Sequence, residues 1–336
     1  MPDQFDHPRL GPAELVQAAA IARRFHVEGV SKVQIGQEFG LSRFKVARIL
    51  ADARAAGIVQ VEIRLPARID AELSTALRGS WGLQRAVVVD TADEPDTSLR
   101  AHLAAVTADL LAEIVTDEDV LGLTWSRTID RATTRLRRLA RCTVVQLAGT
   151  LARADTDRST VEIVRRAAAV GGGRALPVYA PLIVEDGAAA AALRRQPDIA
   201  GAFAHFDRLT KAVVAVGSWE PGYSTVWDAV SVQERESYRR LGARAEVSAR
   251  LLDAGGRDLV TDLDGRVMAI TTAQLREVPE VIAVVGGSAR AHAAEAALRS
   301  GFVTTLVTDA AVARHLLHVG DPSAISLGAA GRDRVG

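Results

Sequence analysis

Cysteine is nearly absent: Cys142 is the single one in 336 residues. An internal disulfide is excluded, and a reducing cytoplasm is the expected compartment. Lysine is almost as scarce, being confined to Lys32, Lys45 and Lys211, so arginine supplies the rest of the 41 basic residues. Schiff-base and lysine general-base chemistry therefore have few candidates. No apolar run approaches the roughly 18 residues that would span a bilayer. Met1–Leu10 carries acids and prolines where a secretory leader would carry an apolar core. No charge of either sign is in excess, 41 basic residues standing against 41 acidic. The surface as a whole is thus no polyanion binder, although a local basic patch is allowed.

Catalytic signatures are missing as well. There is no G-x-S-x-G elbow, no Walker loop and no G-x-G-x-x-G fingerprint. The seven histidines are scattered without metal-ligand spacing, and His205 and His292 are expected in helices with no acid or cysteine nearby. Cys142 opens a strand without a partner, and inert burial is its expected state. Asp262, Asp264 and Glu246 lie near glycines, but nothing in the sequence fixes them as an acid/base pair. Trp125, Trp219 and Trp227 can pack in a core or stack on a sugar face. The chain is expected to be no enzyme and to hold no metal or cofactor.

What is present is ordinary globular composition, 48% apolar and 24% charged, over a length that suits about two domains. A helix over residues 13–26 places Leu15, Ala18, Ala19, Ala22 and Phe25 on one stripe. Ser31 and Gln34 form a capping box for a short helix that carries Val33, Ile35 and Phe39 inward and stops at Gly40. Ser42 caps a third helix, Arg43 to Ala56, which buries Val46, Ile49, Leu50 and Ala53 and ends at Gly57. Ile58–Ile63 alternates at period two and predicts a strand, closed by Pro66. Two helices joined by a glycine turn, supported by a third and followed by a strand, predict a winged helix-turn-helix over residues 1–66. Ser42, Arg43, Phe44, Lys45 and Arg48 occupy the first turns of its recognition helix, where major-groove contacts are made. Four bases against Asp52 alone between Arg43 and Arg54 fit that reading, a solvated basic helix face being the alternative.

A helix from Arg68 to Trp81 is expected as a connector or dimerisation element within residues 67–84. From there to residue 330 short apolar runs alternate with helical segments. The strand candidates are Ala86–Val89, Val120–Thr124, Thr143–Leu147, Ala212–Val216, Val281–Val285 and Thr304–Val307. Helices are expected at Leu99–Val115, Ile129–Leu139, Thr160–Val170, Ala289–Ser300 and Ala310–Leu317. That alternation predicts a doubly wound parallel α/β domain. Several strands end in small or hydroxyl residues just before a helix: Ser126, Arg127 and Thr128; Gly149 and Thr150; Gly217 and Ser218; Gly286, Gly287 and Ser288, the last as N-cap, with Arg290 beyond. Carboxyl ends of parallel strands meet at the ligand crevice of such folds, and helix N-termini there favour anions. An anionic or polyhydroxylated ligand is the expectation.

The stretches Val33–Leu50 and Ala55–Val59, Thr124–Thr128, Val145–Gly149, Leu176–Leu182, Val278–Gly287 and Leu298–Gly301 together resemble the SorC family of sugar-responsive bacterial transcriptional regulators. The resemblance runs from about Leu15 to Leu317. It implies an effector domain related in fold to sugar-phosphate isomerases, a sugar or phosphosugar effector, double-stranded operator DNA as partner, and a homodimer or homotetramer. It also implies that Ser126, Arg127 and Thr128 meet the ligand phosphate, and that Gly149, Thr150, Glu246 and Arg290 contact the ligand. Relatives commonly carry lysine at Arg290, glycine at Ser126, Asn-Gly-Gly at Ala148–Thr150 and Cys-Gly-Arg-Phe at Ser248–Leu251. The expected function is a sequence-specific DNA-binding regulator of a carbohydrate operon. The alternative is a sugar-phosphate isomerase or kinase-like enzyme with an appended DNA-binding module.

Overall fold

The computed structural model describes residues 11–60, 68–90, 96–151 and 160–320. The chain divides into two compact units, residues 1–64 and 65–336.

In the first unit, α1 (Pro12–His26), α2 (Lys32–Phe39) and α3 (Arg43–Ala55) enclose a small core of Ala18, Ile21, Ala22, Ile35, Val46, Leu50 and Ala53. The Ser31–Gln34 capping box forms, and Gly40 closes α2 in the left-handed conformation at φ 67°. Gly36 has no room for a side chain, since a Cβ there would stand 2.5 Å from the Leu41 carbonyl oxygen. That close approach lets the Gly40–Ser42 turn fold back tightly, and Ser42 then accepts from the Lys45 amide to open α3. The stripe on α1 loses two of the expected residues and gains one. Leu15 and Ala19 are exposed, whereas Ile21 is fully buried, so the inward set is Ala18, Ile21, Ala22 and Phe25. Val33, expected inward, is 52% exposed, and Ile49 is half-buried. Residues 58–60, the start of the expected strand, are bend and coil; residues 61–63 and Pro66 lie outside the described residues.

The second unit opens with α4 (Ala71–Trp81) and β1 (Arg85–Val89), then α5 (Asp96–Ile114), β2 (Val120–Leu123), α6 (Arg127–Arg135), β3 (Thr143–Gln146), α7 (Thr160–Gly171) and β4 (Arg174–Leu176). It continues with α8 (Gly187–Arg194), α9 (Pro197–Phe203), β5 (Lys211–Ser218), α10 (Thr225–Ala229), α11 (Val232–Arg240), β6 (Ala245–Val247) and β7 (Arg250–Leu252). The last elements are α12 (Asp262–Arg266), α13 (Thr272–Glu277), β8 (Glu280–Val284), α14 (Ala291–Arg299), β9 (Thr305–Asp309) and α15 (Ala310–Gly320).

Seven strands pair in parallel in the order β1-β9-β8-β5-β2-β3-β4, and β6 and β7 form an antiparallel hairpin on the end of β5. Each face of the sheet buries its own apolar layer. Along β5, Ala212, Val214 and Val216 enter one layer with α4, α14 and α15, while Val213 enters the other with α5, α6 and α7. Strands covered on both faces are largely apolar, which is why their sequences read as near-continuous Val, Ile, Leu and Ala runs, with Gln146, Glu280, Thr305, Thr308 and Asp309 as buried polar members. The order of strands reverses between β2 and β5, so the crevice of this doubly wound sheet opens at their carboxyl ends.

The residues 67–84 expected as a connector supply α4, which packs on α15 and β1. Leu77 is fully buried, and the Trp81 Nε1 donates to the Leu316 carbonyl at 3.0 Å. The helix expected to reach Leu139 stops at Arg135, because Leu136 is already extended. Ser288 does not cap α14: it opens a short 3-10 turn, Ser288–Arg290, and makes no side-chain cap. His205 lies in a turn rather than in a helix.

Candidate effector cleft and candidate nucleic-acid helix

A cavity of about 140 Å³ lies where the sheet order reverses. β2 delivers Thr124 and, just beyond it, Trp125, Ser126, Arg127 and Thr128; β5 delivers Gly217; β8 leads to Gly286 and Arg290; the β6 hairpin closes the cavity with Glu246, Ser248 and Ala249. Glycine is required against backbone at Gly149, and at Gly217 and Gly286 a side chain would crowd the ends of Glu246 and Leu103. A Cβ would meet the Pro181 carbonyl oxygen at 2.5 Å from Gly149, Glu246 Oε2 at 2.9 Å from Gly217, and Leu103 Cδ1 at 2.5 Å from Gly286.

The cleft offers cations at its mouth. Arg127 is exposed at the first position of α6, whose cap is Ser126; the Ser126 Oγ accepts from the Ile129 amide at 3.0 Å. The amides of that first turn face the direction in which helix N-termini hold anions. Arg290 donates from Nη1 to the Gly286 carbonyl at 3.0 Å and lays its guanidinium 4.9 Å from the Tyr223 ring centroid.

At the inner end stands Glu246, 8% exposed. Burial pushes its carboxyl above the usual range, against the opposing hydrogen bonds from the Ala249 amide (2.5 Å) and the Ser224 hydroxyl (3.2 Å). In the protonated form a carboxyl both donates and accepts, which suits a hydroxylated ligand. The linkage has a definite sign. The fold favours the neutral carboxyl, so as pH rises past the ordinary value near 4.5 the unfolded chain ionises first and the native state loses stability until the folded carboxyl ionises too. Glu246→Gln is therefore expected to gain stability relative to wild type as pH rises from 4.5 towards neutrality. Urea unfolding at several pH values measures this, and parallel pH curves for the two proteins would contradict it.

The turn beside Glu246 is strained. Ser248 and Ala249, the two residues that join β6 to β7, both have positive φ, 53° and 62°. A two-residue hairpin turn with two such residues favours Asn-Gly, and a non-glycine residue there costs about 1–2 kcal/mol. The Ser248 Oγ is also buried, with no hydrogen-bond partner among the described residues. Ala249→Gly is expected to stabilise the chain by about 1 kcal/mol, read as a higher urea midpoint; an unchanged or lower midpoint would contradict the strain.

Eight of the twelve sequence-expected effector residues line the cavity: Ser126, Arg127, Thr128, Gly149, Gly217, Glu246, Gly286 and Arg290. Four do not. Ser218 follows Gly217 on β5, and strand alternation turns it away into the pairing with Ala245. Thr150 pairs beyond the wall, its amide donating to Ala180. Gly287, at φ 90°, and the exposed Ser288 lie past the cavity wall. The sequence reading missed Arg100, Tyr223, Ser224 and Ser248, which sit in segments without strand or helix periodicity or, for Arg100, inside a long helix.

Other expectations resolve locally. Trp219 and Trp227 are buried and pack edge to face, so they are core, whereas Trp125 lines the cavity. Asp262 accepts from the Tyr238 hydroxyl at 2.7 Å, and Asp264 pairs with Arg250 at 2.9 Å. The thiol of Cys142 is buried and pushed up to about 11, chiefly by that burial and then by Asp119. Lys211, the one lysine of the second unit, sits at the start of β5, opposite the cleft, and pairs with Asp119 at 2.9 Å. Contrary to expectation, His292 does have an acid nearby, Glu295, at 3.7 Å.

In the first unit Ser42, Arg43, Phe44, Lys45 and Arg48 are all exposed, Phe44 at 85%. The buried face of α3 is Val46, Leu50 and Ala53, so these five residues stand on its solvent side and first turns.

Comparison with known proteins agrees with this architecture. The family model of the "Putative sugar-binding domain" matches residues 66–318. A curated relative, the Escherichia coli K12 "Uncharacterized transcriptional regulator YjhU", is 30% identical over 303 residues, covering 87% of this chain and 92% of its own. The Bacillus subtilis "Deoxyribonucleoside regulator" is 23% identical, covering 88% and 96% respectively. Among solved structures, the full-length sorbitol operon regulator SorC from Klebsiella pneumoniae superposes with a TM-score of 0.70 at 19% identity, over 94% of this chain and all of that one. A parallel α/β sheet with a polar crevice, joined to a short three-helix unit and aligned end to end with such relatives, defines a transcriptional regulator with a sugar-binding domain. The chain belongs to the family of transcriptional regulators with this putative sugar-binding domain, and it shares the fold of SorC.

Proposed function

We propose that this regulator binds double-stranded operator DNA through Ser42, Arg43, Phe44, Lys45 and Arg48, and that a sugar or phosphosugar in the cleft changes that binding. The observation that carries the reading is one chain holding both an exposed basic helix face and a separate cleft with Arg127 and Arg290 at its mouth and Glu246 within. In the major groove the arginines fork onto guanine edges or pair with phosphates, and Phe44 meets thymine methyl groups. In the cleft the two arginines and the α6 amides take the anionic end of the ligand, while Glu246 and Ser224 take hydroxyls. The two events are coupled by linkage: an effector that prefers one arrangement shifts operator affinity by the same free energy by which DNA shifts effector affinity. Ser218, Thr150, Gly287 and Ser288 support the wall rather than touch the ligand in this reading. A winged helix-turn-helix form of the first unit, kinship of the sheet domain with sugar-phosphate isomerases, a homodimer or homotetramer that spaces two recognition helices along one DNA face, and a cytoplasmic site of action belong to the same proposal.

The chain acts without catalysis in this account. A lysine-based mechanism has no candidate in the cleft, since Lys211 is held by Asp119 at the other end of the sheet. Thermal shift against a panel of sugars and sugar phosphates tests the proposal, because a ligand of the folded state raises the melting temperature. A stabilising sugar or sugar phosphate that also alters operator binding is expected. Turnover of that ligand would instead favour an isomerase or kinase-like enzyme.

A further inference from the structure

Among the described residues, one group of His, Cys, Asp or Glu side chains gathers three donor atoms within 4.8 Å of one another: His292, Glu295 and His315. His292 and Glu295 stand at i and i+3 on α14, which puts both on one face. His315 comes from the facing helix α15. Its Nε2 lies 3.0 Å from Glu295 Oε2, and His292 Nδ1 lies 3.7 Å from the same oxygen. The imidazole rings meet edge to face, 4.6 Å between centroids.

We propose that these three side chains form a binding site for a divalent first-row transition metal of the zinc class, clamping α14 to α15. Imidazole nitrogens and a carboxylate oxygen are the donor set such ions take, at about 2.0–2.2 Å. Ligand pairs around a tetrahedral ion at that distance stand about 3.4 Å apart, close to the 3.0 and 3.7 Å found here. Glu295 and His315 are 15% and 22% exposed, whereas His292 is 72% exposed and opens the group to solvent. Arg299 holds the other carboxylate oxygen, Oε1, at 2.8 Å, which orients Oε2 towards both imidazoles. The solvent side leaves a fourth position for water. The helix pairing has a place in the fold: α14 follows the turn that carries Arg290, and α15 follows Asp309, which accepts from the Gly287 amide at 3.0 Å.

The test uses the full chain after chelator treatment, titrated with zinc chloride in a calorimeter and melted with and without the ion. One ion per chain and a raised melting temperature are expected. His292→Ala is expected to weaken binding by about tenfold or more while leaving the metal-free melting temperature unchanged, and His315→Asn and Glu295→Gln are expected to weaken it likewise. Titration with cobalt(II) is expected to give a visible band characteristic of four-coordinate nitrogen and oxygen ligation, absent from His292→Ala. Absence of binding to wild type, or binding that the His292→Ala and His315→Asn double variant retains, would overturn the proposal.

Discussion

Replacing Arg43 and Arg48 together by alanine is expected to abolish sequence-specific operator binding while leaving the chain folded. Both guanidinium groups stand on the exposed side of α3, and alanine is the better helix former, so the core of Ala18, Ile21, Val46 and Leu50 is untouched. If both read guanine edges, the loss is about 2–6 kcal/mol, since each bidentate base contact contributes about 1–3 kcal/mol. If both lie on phosphates instead, affinity falls evenly over all sequences and the salt slope drops by about two. Fluorescence anisotropy at several salt concentrations, on operator and on unrelated DNA, separates these outcomes. Unchanged affinity and slope would mean that the basic face is only a solvated helix surface.

Lys211→Met is expected to cost about 3–5 kcal/mol of stability, because it leaves the carboxylate of Asp119 without its cation. Asp119 is 7% exposed and receives both the Lys211 ammonium, at 2.9 and 3.0 Å, and the Thr210 hydroxyl, at 2.6 Å. Burial alone would raise the carboxyl, but Thr210, Lys211 and the Thr116 amide outweigh it and hold Asp119 below its usual value of 3.8. The stabilisation is accordingly present above that value and disappears as pH falls through the folded one. The gap between wild type and variant should be full at pH 7 and should shrink below about 4. Because the pair lies at the amino-terminal ends of β2 and β5, opposite the cleft, effector affinity of the folded protein is expected to survive. A variant as stable as wild type at pH 7 would show that Thr210 and Thr116 suffice alone.

The sheet was legible in the sequence wherever strands are covered on both faces. The runs read at β1, β2, β3, β5, β8 and β9 match within a few residues because most of their buried positions are apolar. β4, β6 and β7 escaped notice. Each has three residues, and the hairpin buries Glu246 and Arg250, two ionisable residues whose side-chain partners come from other segments, Ser224 for one and Asp264 for the other. A buried polar group satisfied by a distant side chain leaves no local pattern. The strand ends with glycine and serine pointed to the crevice, but strand alternation decided which member of each pair faces it: Gly217 does and Ser218 does not. The histidine pair was hidden for a similar reason, since His315 reaches Glu295 only through the packing of α14 on α15, twenty residues apart.

Arg290→Ala tests most directly whether the effector cleft is coupled to DNA binding. Operator affinity should be measured with and without the sugar or sugar phosphate that stabilises the wild-type protein, in wild type and variant side by side. Affinity for DNA in the absence of effector should match wild type, while the effector concentration needed for half the response should rise by about ten- to a hundredfold, the effect of losing a charge-assisted hydrogen bond of about 1.5–3 kcal/mol. An effector response unchanged by the substitution, or an equal loss of DNA binding without effector, would contradict it.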